Sequence, residues 1–214
     1  MKKSLIPLLI AIAALFALPL FIHNPYYIHL VETILIYTIL LFGLDIVVGY
    51  VGQVSLGHAA LFGIGSYTAG VLYFHFGWTI WGTLPASIVV TAIFGGILAL
   101  PALKVIGPYL AMVTLAFGTI AQILINEMTW LTEGPLGIKI PKPELMGVPM
   151  TKAEYFWMVG IILILSMIIV DRFVKSQIGR AFEALRDSPI ACDCMGVSVY
   201  RFKVIAFVIS AGFA

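Results

Sequence analysis

Charge is what this chain lacks. Only 10% of its 214 residues are Asp, Glu, Lys or Arg, against about 25% in an ordinary soluble domain, and hydrophobic types make up 62%. A water-soluble globule of this size needs far more charge to cover its surface, so that class is excluded. The 12 Lys and Arg nearly balance the 10 Asp and Glu, for a net charge of +2. A nucleic-acid-binding protein, which carries clustered basic residues, is excluded with it. Two cysteines cannot frame a disulfide scaffold. What remains is the composition of a membrane protein.

The charges are also unevenly spread. Residues 4–31, 105–126 and 155–170 carry none, and the longest uncharged run, 46–103, covers 58 residues. As a single helix at about 1.5 Å per residue it would be roughly 87 Å long, nearly three times a hydrocarbon core of about 30 Å. It must fold back, and the place is Phe76, Gly77 and Trp78, where a glycine adjoins aromatics suited to the membrane interface. At the N-terminus, Lys2 and Lys3 precede an apolar stretch with the look of a signal peptide. The stretch runs on through Pro19 to Ile22 with no small-x-small cleavage site, which favours an uncleaved anchor or first span.

The spans are read at 5–22, 30–50, 59–76, 80–103, 108–125 and 155–170, with a seventh apolar segment starting near Phe202. Backbone amides in lipid must be bonded within their own segment, so the spans are helices and the fold class is an all-α polytopic membrane bundle; the alternation of a membrane β-barrel is absent. With the N-terminus inside, nine Lys and Arg (Lys2, Lys3, Lys104, Arg172, Lys175, Arg180, Arg186, Arg201 and Lys203) fall on the inner side. Only Lys139, Lys142 and Lys152 fall outside, as the positive-inside rule requires. From Val204 to Ala214 there are 11 residues, where about 20 are needed to cross. The seventh span is thus unfinished, and the chain reads as the N-terminal part of a longer protein rather than a truncated product or a segment completed by a partner. Residues 1–214 form a single permeation domain on this reading.

Two polar regions stand apart. Residues 126–153 form an outer loop rich in glycine and proline, of a length that is functional or floppy. Residues 171–201 form an inner loop with a helical pattern. Ile178, Phe182 and Leu185 recur at i, i+4 and i+7, the apolar stripe of an amphipathic helix, with Arg180, Glu183 and Arg186 on other faces. Ser188 and Pro189 supply an N-cap and a first-turn proline for a second short helix. Gly196 is placed to end it, and Ser198 to cap the next. Such an element is either a connector lying on anionic lipid or a rigid part docked on a cytosolic motor.

Four stretches resemble one family. The block 49–67, GYVGQVSLGHAALFGIGSY, is similar to the signature near the start of permease subunits of ABC importers for branched-chain amino acids, in the subunit type that pairs with a second, related permease. The stretches 107–117 (GPYLAMVTLAF), 131–138 (LTEGPLGI) and 176–196 with 200–203 (YRFK) match further recurring stretches in the right order. One departure is visible: Glu133 and Pro135 stand where relatives have a second glycine and small polar residues. The resemblance implies a prokaryotic inner-membrane importer of leucine, isoleucine and valine, with an external binding protein, a second permease and two cytosolic ATPases, and no cofactor of its own. It makes 176–196 the coupling element, with Gly179, Arg180, Glu183, Ala184, Leu185, Arg186, Asp187, Ser188, Pro189 and Gly196 as its parts. It makes the outer loop, through Thr132, Gly134 and Gly137, the receiver of the binding protein. Urea, short amides or other amino acids remain open as the cargo. The chain has no GxxxxGK[ST] loop, so ATP hydrolysis belongs to a partner.

Gln53, Ser55 and His58 sit at a span junction among Gly49, Gly52 and Gly57. A broken helix at membrane depth belongs beside a cavity, so these residues either border the translocation path, offering neutral hydrogen bonds to a zwitterion, or pack helices tightly. Tyr109 and Thr114 are path candidates on the same footing. Asp45, inside a span near its cytoplasmic end, is costly there and either pairs structurally or serves gating. Glu32, at the outer start of that span, is read as hydrated. The spacing of Gly65, Ala69, Gly95, Gly96 and Ala99 is read as helix contact. An intramembrane aspartyl enzyme needs a second buried Asp to share a proton, and the spans hold none, so the chain is not read as an enzyme.

Overall fold

The computed structural model describes Pro19 and residues 24–214, apart from 104, 106, 139, 141–143, 146 and 147, with side chains left aside at 144, 145, 148 and 149. The first expected span, 5–22, lies outside the described residues. The next five are all present as helices long and apolar enough to cross a bilayer.

Local chemistry sets each boundary. Helix α1, Pro25–Asp45, begins with a proline in its first turn and with the Asn24 side chain accepting from the Tyr26 amide (3.1 Å). It runs directly into a π-helical turn, Ile46–Tyr50, which extends the span to 26 residues. Helix α2, His58–Phe76, stops at Gly77, whose φ of 65° is the left-handed conformation that only glycine adopts without cost; the fold-back lies where the sequence placed it. Helix α3, Ile80–Ala102, and helix α4, Pro108–Glu127, follow. The 126–153 region has regular structure among its described residues. It holds a one-turn helix α5, Thr129–Thr132, a 3-10 turn, Gly134–Leu136, and a hairpin of two-residue strands, β1 (Glu144–Leu145) antiparallel to β2 (Val148–Pro149), pairing Glu144 with Pro149 and Leu145 with Val148. That hairpin holds the only strands among the described residues. Helix α6, Lys152–Val174, opens with a reciprocal capping box. The Thr151 amide donates to Glu154 Oε2 (2.8 Å), and the Glu154 amide donates to Thr151 Oγ1 (3.4 Å).

The second polar region folds as its punctuation directs. Helix α7, Gln177–Asp187, is capped by Ser176, and helix α8, Pro189–Cys194, by Ser188. Gly196 turns the chain at φ 77°, and Ser198 caps helix α9, Val199–Phe213. The apolar segment expected near Phe202 is this 15-residue helix.

Small residues let the helices meet. A Cβ added at Gly95 would strike the Ala211 side chain and come within 2.9 Å of the Phe207 carbonyl, which draws α3 and α9 together; one added at Gly43 would lie 2.6 Å from the Ser210 carbonyl, drawing in α1. Ala99 is fully buried beside them. The main core, including Ile46, Val47, Leu61, Leu98, Leu110 and Phe182, therefore gathers at one end of the bundle, where the π turn, the start of α4 and α7 converge. A smaller core of Leu35, Phe156 and Val159 joins α1 to α6 toward the other end. Glu32 departs from its reading as hydrated. It is 7% exposed, with His29 Nδ1 3.6 Å from its carboxylate, because α6 packs over it.

Candidate functional site

The π turn at 46–50 is the feature that organises the site. Single π turns inserted in helices are rare and frequently lie at functional positions. After it, the chain runs irregularly from 51 to 57 at the end of the bundle, with the Gln53 amide donating to the Val47 carbonyl (3.0 Å). This stretch is anchored by two buried side chains. Thr114, wholly buried in α4, accepts from the Leu56 amide (2.9 Å) and donates to the Ala111 carbonyl (3.0 Å). His58 Nε2 donates to the Leu40 carbonyl (2.9 Å), which leaves Nδ1 as the acceptor for the Ser210 hydroxyl (3.4 Å). Gly57 lies so close to α4 that a Cβ there would be 2.7 Å from the Thr114 carbonyl.

Of the six path candidates, Ser55, His58 and Thr114 are all buried polar residues at this junction, the last two held by the bonds just given, and Gln53 is half-buried beside them. Asp45 and Tyr109 are not among them: both are exposed on the outside of the bundle. The Asp45 carboxylate lies against Gly49, where a Cβ would collide with it, and forms no ion pair among the described residues. Ser210 joins the buried residues as a fourth polar one through its hydroxyl on His58 Nδ1, and no sequence signal marked it.

Helix α7 is locked to this junction. Phe182, 1% exposed, sits between Phe173 at the end of α6 (ring centroids 5.7 Å apart) and Phe202 in α9 (6.3 Å, edge-on). Leu185 is equally buried. Arg186 Nη1 donates to the Gly49 carbonyl (2.9 Å), and its aliphatic stem lies on Gly52, whose φ of 70° and lack of a Cβ make room for it. The third stripe residue departs from expectation. Ile178 is 36% exposed, and Gly179 takes the inner position, where a Cβ would collide with the Val174 carbonyl. The turn out of α6 is so tight that only a glycine fits there, and this rotates the first turn of α7 away from the stripe. On the outward side, Arg180, Glu183, Ala184 and Asp187 form an exposed face at i, i+3, i+4 and i+7, continued by Pro189 and Gly196. Ser188, half-buried, is occupied by its cap of α8.

In the loop at the opposite end, Thr132 is buried. Its hydroxyl lies 2.6 Å from the Ile125 carbonyl and 2.9 Å from that of Met128. Gly134 and Gly137 hold positive φ. These three residues shape the loop; the large hydrophobic side chains it exposes among its described residues are Trp130, Leu136 and Ile140. Glu133 takes a left-handed φ of 57°, the conformation a glycine would adopt freely.

The chain matches the model of the family described as branched-chain amino acid transport system / permease component over residues 26–214. It is similar to the high-affinity branched-chain amino acid transport system permease protein LivM of Salmonella typhimurium and to that of Escherichia coli. Each is 38% identical over 205 residues, covering 84% of this chain and 48% of the relative. The chain thus spans about half the length of the curated relatives it matches. No solved structure matches it significantly. An all-helical bundle of apolar spans, with four matching blocks in order and a family match that takes in every described helix, places this chain in the branched-chain amino acid transport permease family.

Proposed function

We propose that this chain is a permease subunit of an ATP-driven importer of leucine, isoleucine and valine in a prokaryotic inner membrane. It works with a second related permease, two cytosolic ATPase subunits and an extracytoplasmic binding protein. With the N-terminus inside, the π turn, α7 and α8 face the cytosol, together with nine of the 12 Lys and Arg. The ATPase seats against the exposed face of Arg180, Glu183, Ala184 and Asp187 and the adjoining α8. The path runs by the junction of Gln53, Ser55, His58 and Thr114. Asp45 and Tyr109, on the outside of the bundle, are open to the second permease. The binding protein meets the opposite loop through Trp130 and Leu136, held in place by Thr132, Gly134 and Gly137.

The observation that carries this reading is the Arg186–Gly49 contact. It ties a short, doubly capped surface helix to the backbone turn that leads into the buried polar residues of the junction, so displacement of α7 is felt where a solute would pass. Bistable elements in physical contact are what coupling requires. The chain carries out no hydrolysis itself on this reading; it converts a partner's stroke into movement of the junction. Charge reversal by Glu183→Arg on the exposed face is expected to lower ATP-driven leucine uptake by the assembled transporter about tenfold, as mispaired interface charges do, with membrane insertion intact. Uptake at the original rate, or undiminished uptake with the ATPase subunits deleted, would overturn the proposal.

A further inference from the structure

A cavity of about 500 Å³ opens between the end of α3, helix α8 and the start of α9; it borders the proposed coupling face at Pro189, but its Lys203 and Asp193 are not among the coupling residues. Its walls include Leu103, Ile190, Asp193, Ser198, Tyr200 and Lys203. Lys203 is 9% exposed, yet it makes no hydrogen bond or ion pair with any described residue, Asp193 included. Its ammonium is not sealed inside the protein but opens without a partner on this cavity, so an anion entering the cavity gains a charge-assisted contact there. The same cavity receives the N-terminus of α9. Ser198 caps the Arg201 amide there, while the first helical N–H groups have no intrahelical acceptor and the helix dipole favours negative charge.

The surroundings say where that anion comes from. Leu103 closes an apolar span, and Ile93, Ile97 and Leu100, at i, i+4 and i+7 along α3, are all exposed and lead down to it. Tyr200 stands half-exposed at the rim, in the manner of aromatics at headgroup level. A phosphate attached to acyl chains fits this arrangement; free phosphate has no use for the apolar track. Asp193, on the other wall, suits a headgroup that also carries an ammonium. We infer that the cavity holds the headgroup of an aminophospholipid, its phosphodiester on Lys203 and the α9 N-terminus and its ammonium facing Asp193. The site needs only that the helices lie in a bilayer, so lipid retention and transport coupling can fail independently of each other.

The test is native mass spectrometry of the assembled transporter, full chain included, after detergent washing and re-exposure to phosphatidylethanolamine, phosphatidylglycerol or inorganic phosphate. Phosphatidylethanolamine should be retained and should resist millimolar inorganic phosphate. Lys203→Gln should weaken retention about tenfold, the order expected for one charge-assisted contact, and Lys203→Arg should restore it. Asp193→Asn should erase the preference over phosphatidylglycerol. Equal retention by Lys203→Gln, displacement by inorganic phosphate, or a partner-subunit carboxylate cross-linked to Lys203 would each overturn the assignment. Should Lys203→Gln fail to assemble, Asp193→Asn at an exposed position decides: an unchanged ratio between the two lipids sinks the proposal.

Discussion

Truncating Phe182 to alanine tests the attachment of α7 directly. The ring is almost wholly buried between Phe173 and Phe202, at centroid distances of 5.7 and 6.3 Å. Removing a core phenylalanine costs about 3–5 kcal/mol, of which the two aromatic contacts account for roughly 0.5–1.5 kcal/mol each. Helix α7 has only 11 residues, and isolated helices below about 12–15 residues are marginal in water. It therefore has little stability beyond its docking, and the loss falls on the equilibrium between docked and undocked α7. That equilibrium should shift by two to four orders of magnitude, at tenfold per 1.4 kcal/mol. Hydrogen–deuterium exchange of the assembled transporter reads this out: amides 179–187 should lose protection while those of α2, α3 and α6 keep theirs. Leucine uptake should collapse while ATP hydrolysis persists. The comparison variant is Ile178→Ala. The sequence stripe treats the two positions alike, but Ile178 is 36% exposed, and its truncation should cost under about 1 kcal/mol, as surface changes do. Equal losses of protection at the two positions, or loss of protection throughout the spans, would refute the reasoning.

Arg186→Ala removes the bond to the Gly49 carbonyl, worth about 1 kcal/mol at an exposed site; coupled uptake should fall while α7 protection stays, and unchanged uptake counts against the link. Glu133→Gly should stabilise the loop at 129–137 by about 1 kcal/mol, since Glu133 holds a left-handed φ of 57° that costs a non-glycine residue 1–2 kcal/mol; slower exchange of those amides checks it, and faster exchange contradicts it. Cys194 is a free, exposed thiol and Cys192 a buried one. A membrane-impermeant maleimide should therefore label Cys194 only from the cytoplasmic face, and labelling of intact cells would invert the topology.

The spans were legible because length and lack of charge suffice to find them: 80–103 in the sequence is Ile80–Ala102 in the structure, and 59–76 is His58–Phe76. The ends of the second surface helix were legible because the Ser188 hydroxyl and the conformational freedom of Gly196 mark them, as Ser198 marks the start of α9; the Ser176 cap of α7 went unread. What could not be read was which face of each span is buried. When nearly every residue is apolar, periodicity has no contrast, so nothing in the pattern separates Leu98, fully buried, from Ile97, half-exposed. Small residues were the one internal guide, and Gly95 and Ala99 do sit where helices touch. The π turn escaped because no residue pattern read from the sequence distinguishes Ile46–Tyr50 from the helix before it. Ile178 misled for the opposite reason: its local pattern was sound, and the backbone approach at Gly179 overrode it. Among the buried polar residues, His58 and Thr114 stood out as polar groups in apolar runs, whereas Ser210 entered only through the fold.

The link from α7 to the junction is uneven, and its unevenness has a direction. On the α6 and α9 side, Phe182 is held by several kcal/mol of packing. On the junction side there is one hydrogen bond, worth about 1 kcal/mol, together with the Arg186 stem resting on Gly52, where no space for a Cβ remains. Packed atoms resist compression steeply, but separating them forfeits only shallow attraction. A stroke that drives α7 toward residues 49–52 is therefore passed on by steric contact, whereas one that draws it away is passed on only by a bond that water can replace. The receiving segment is suited to such a push: the π turn already departs from the α-helical hydrogen-bond pattern, so it can yield while the buried anchors at Thr114 and His58 hold the far end of the segment in place. If α7 is the coupling element proposed above, this contact transmits thrust and not pull, with Gly52 as the bearing surface.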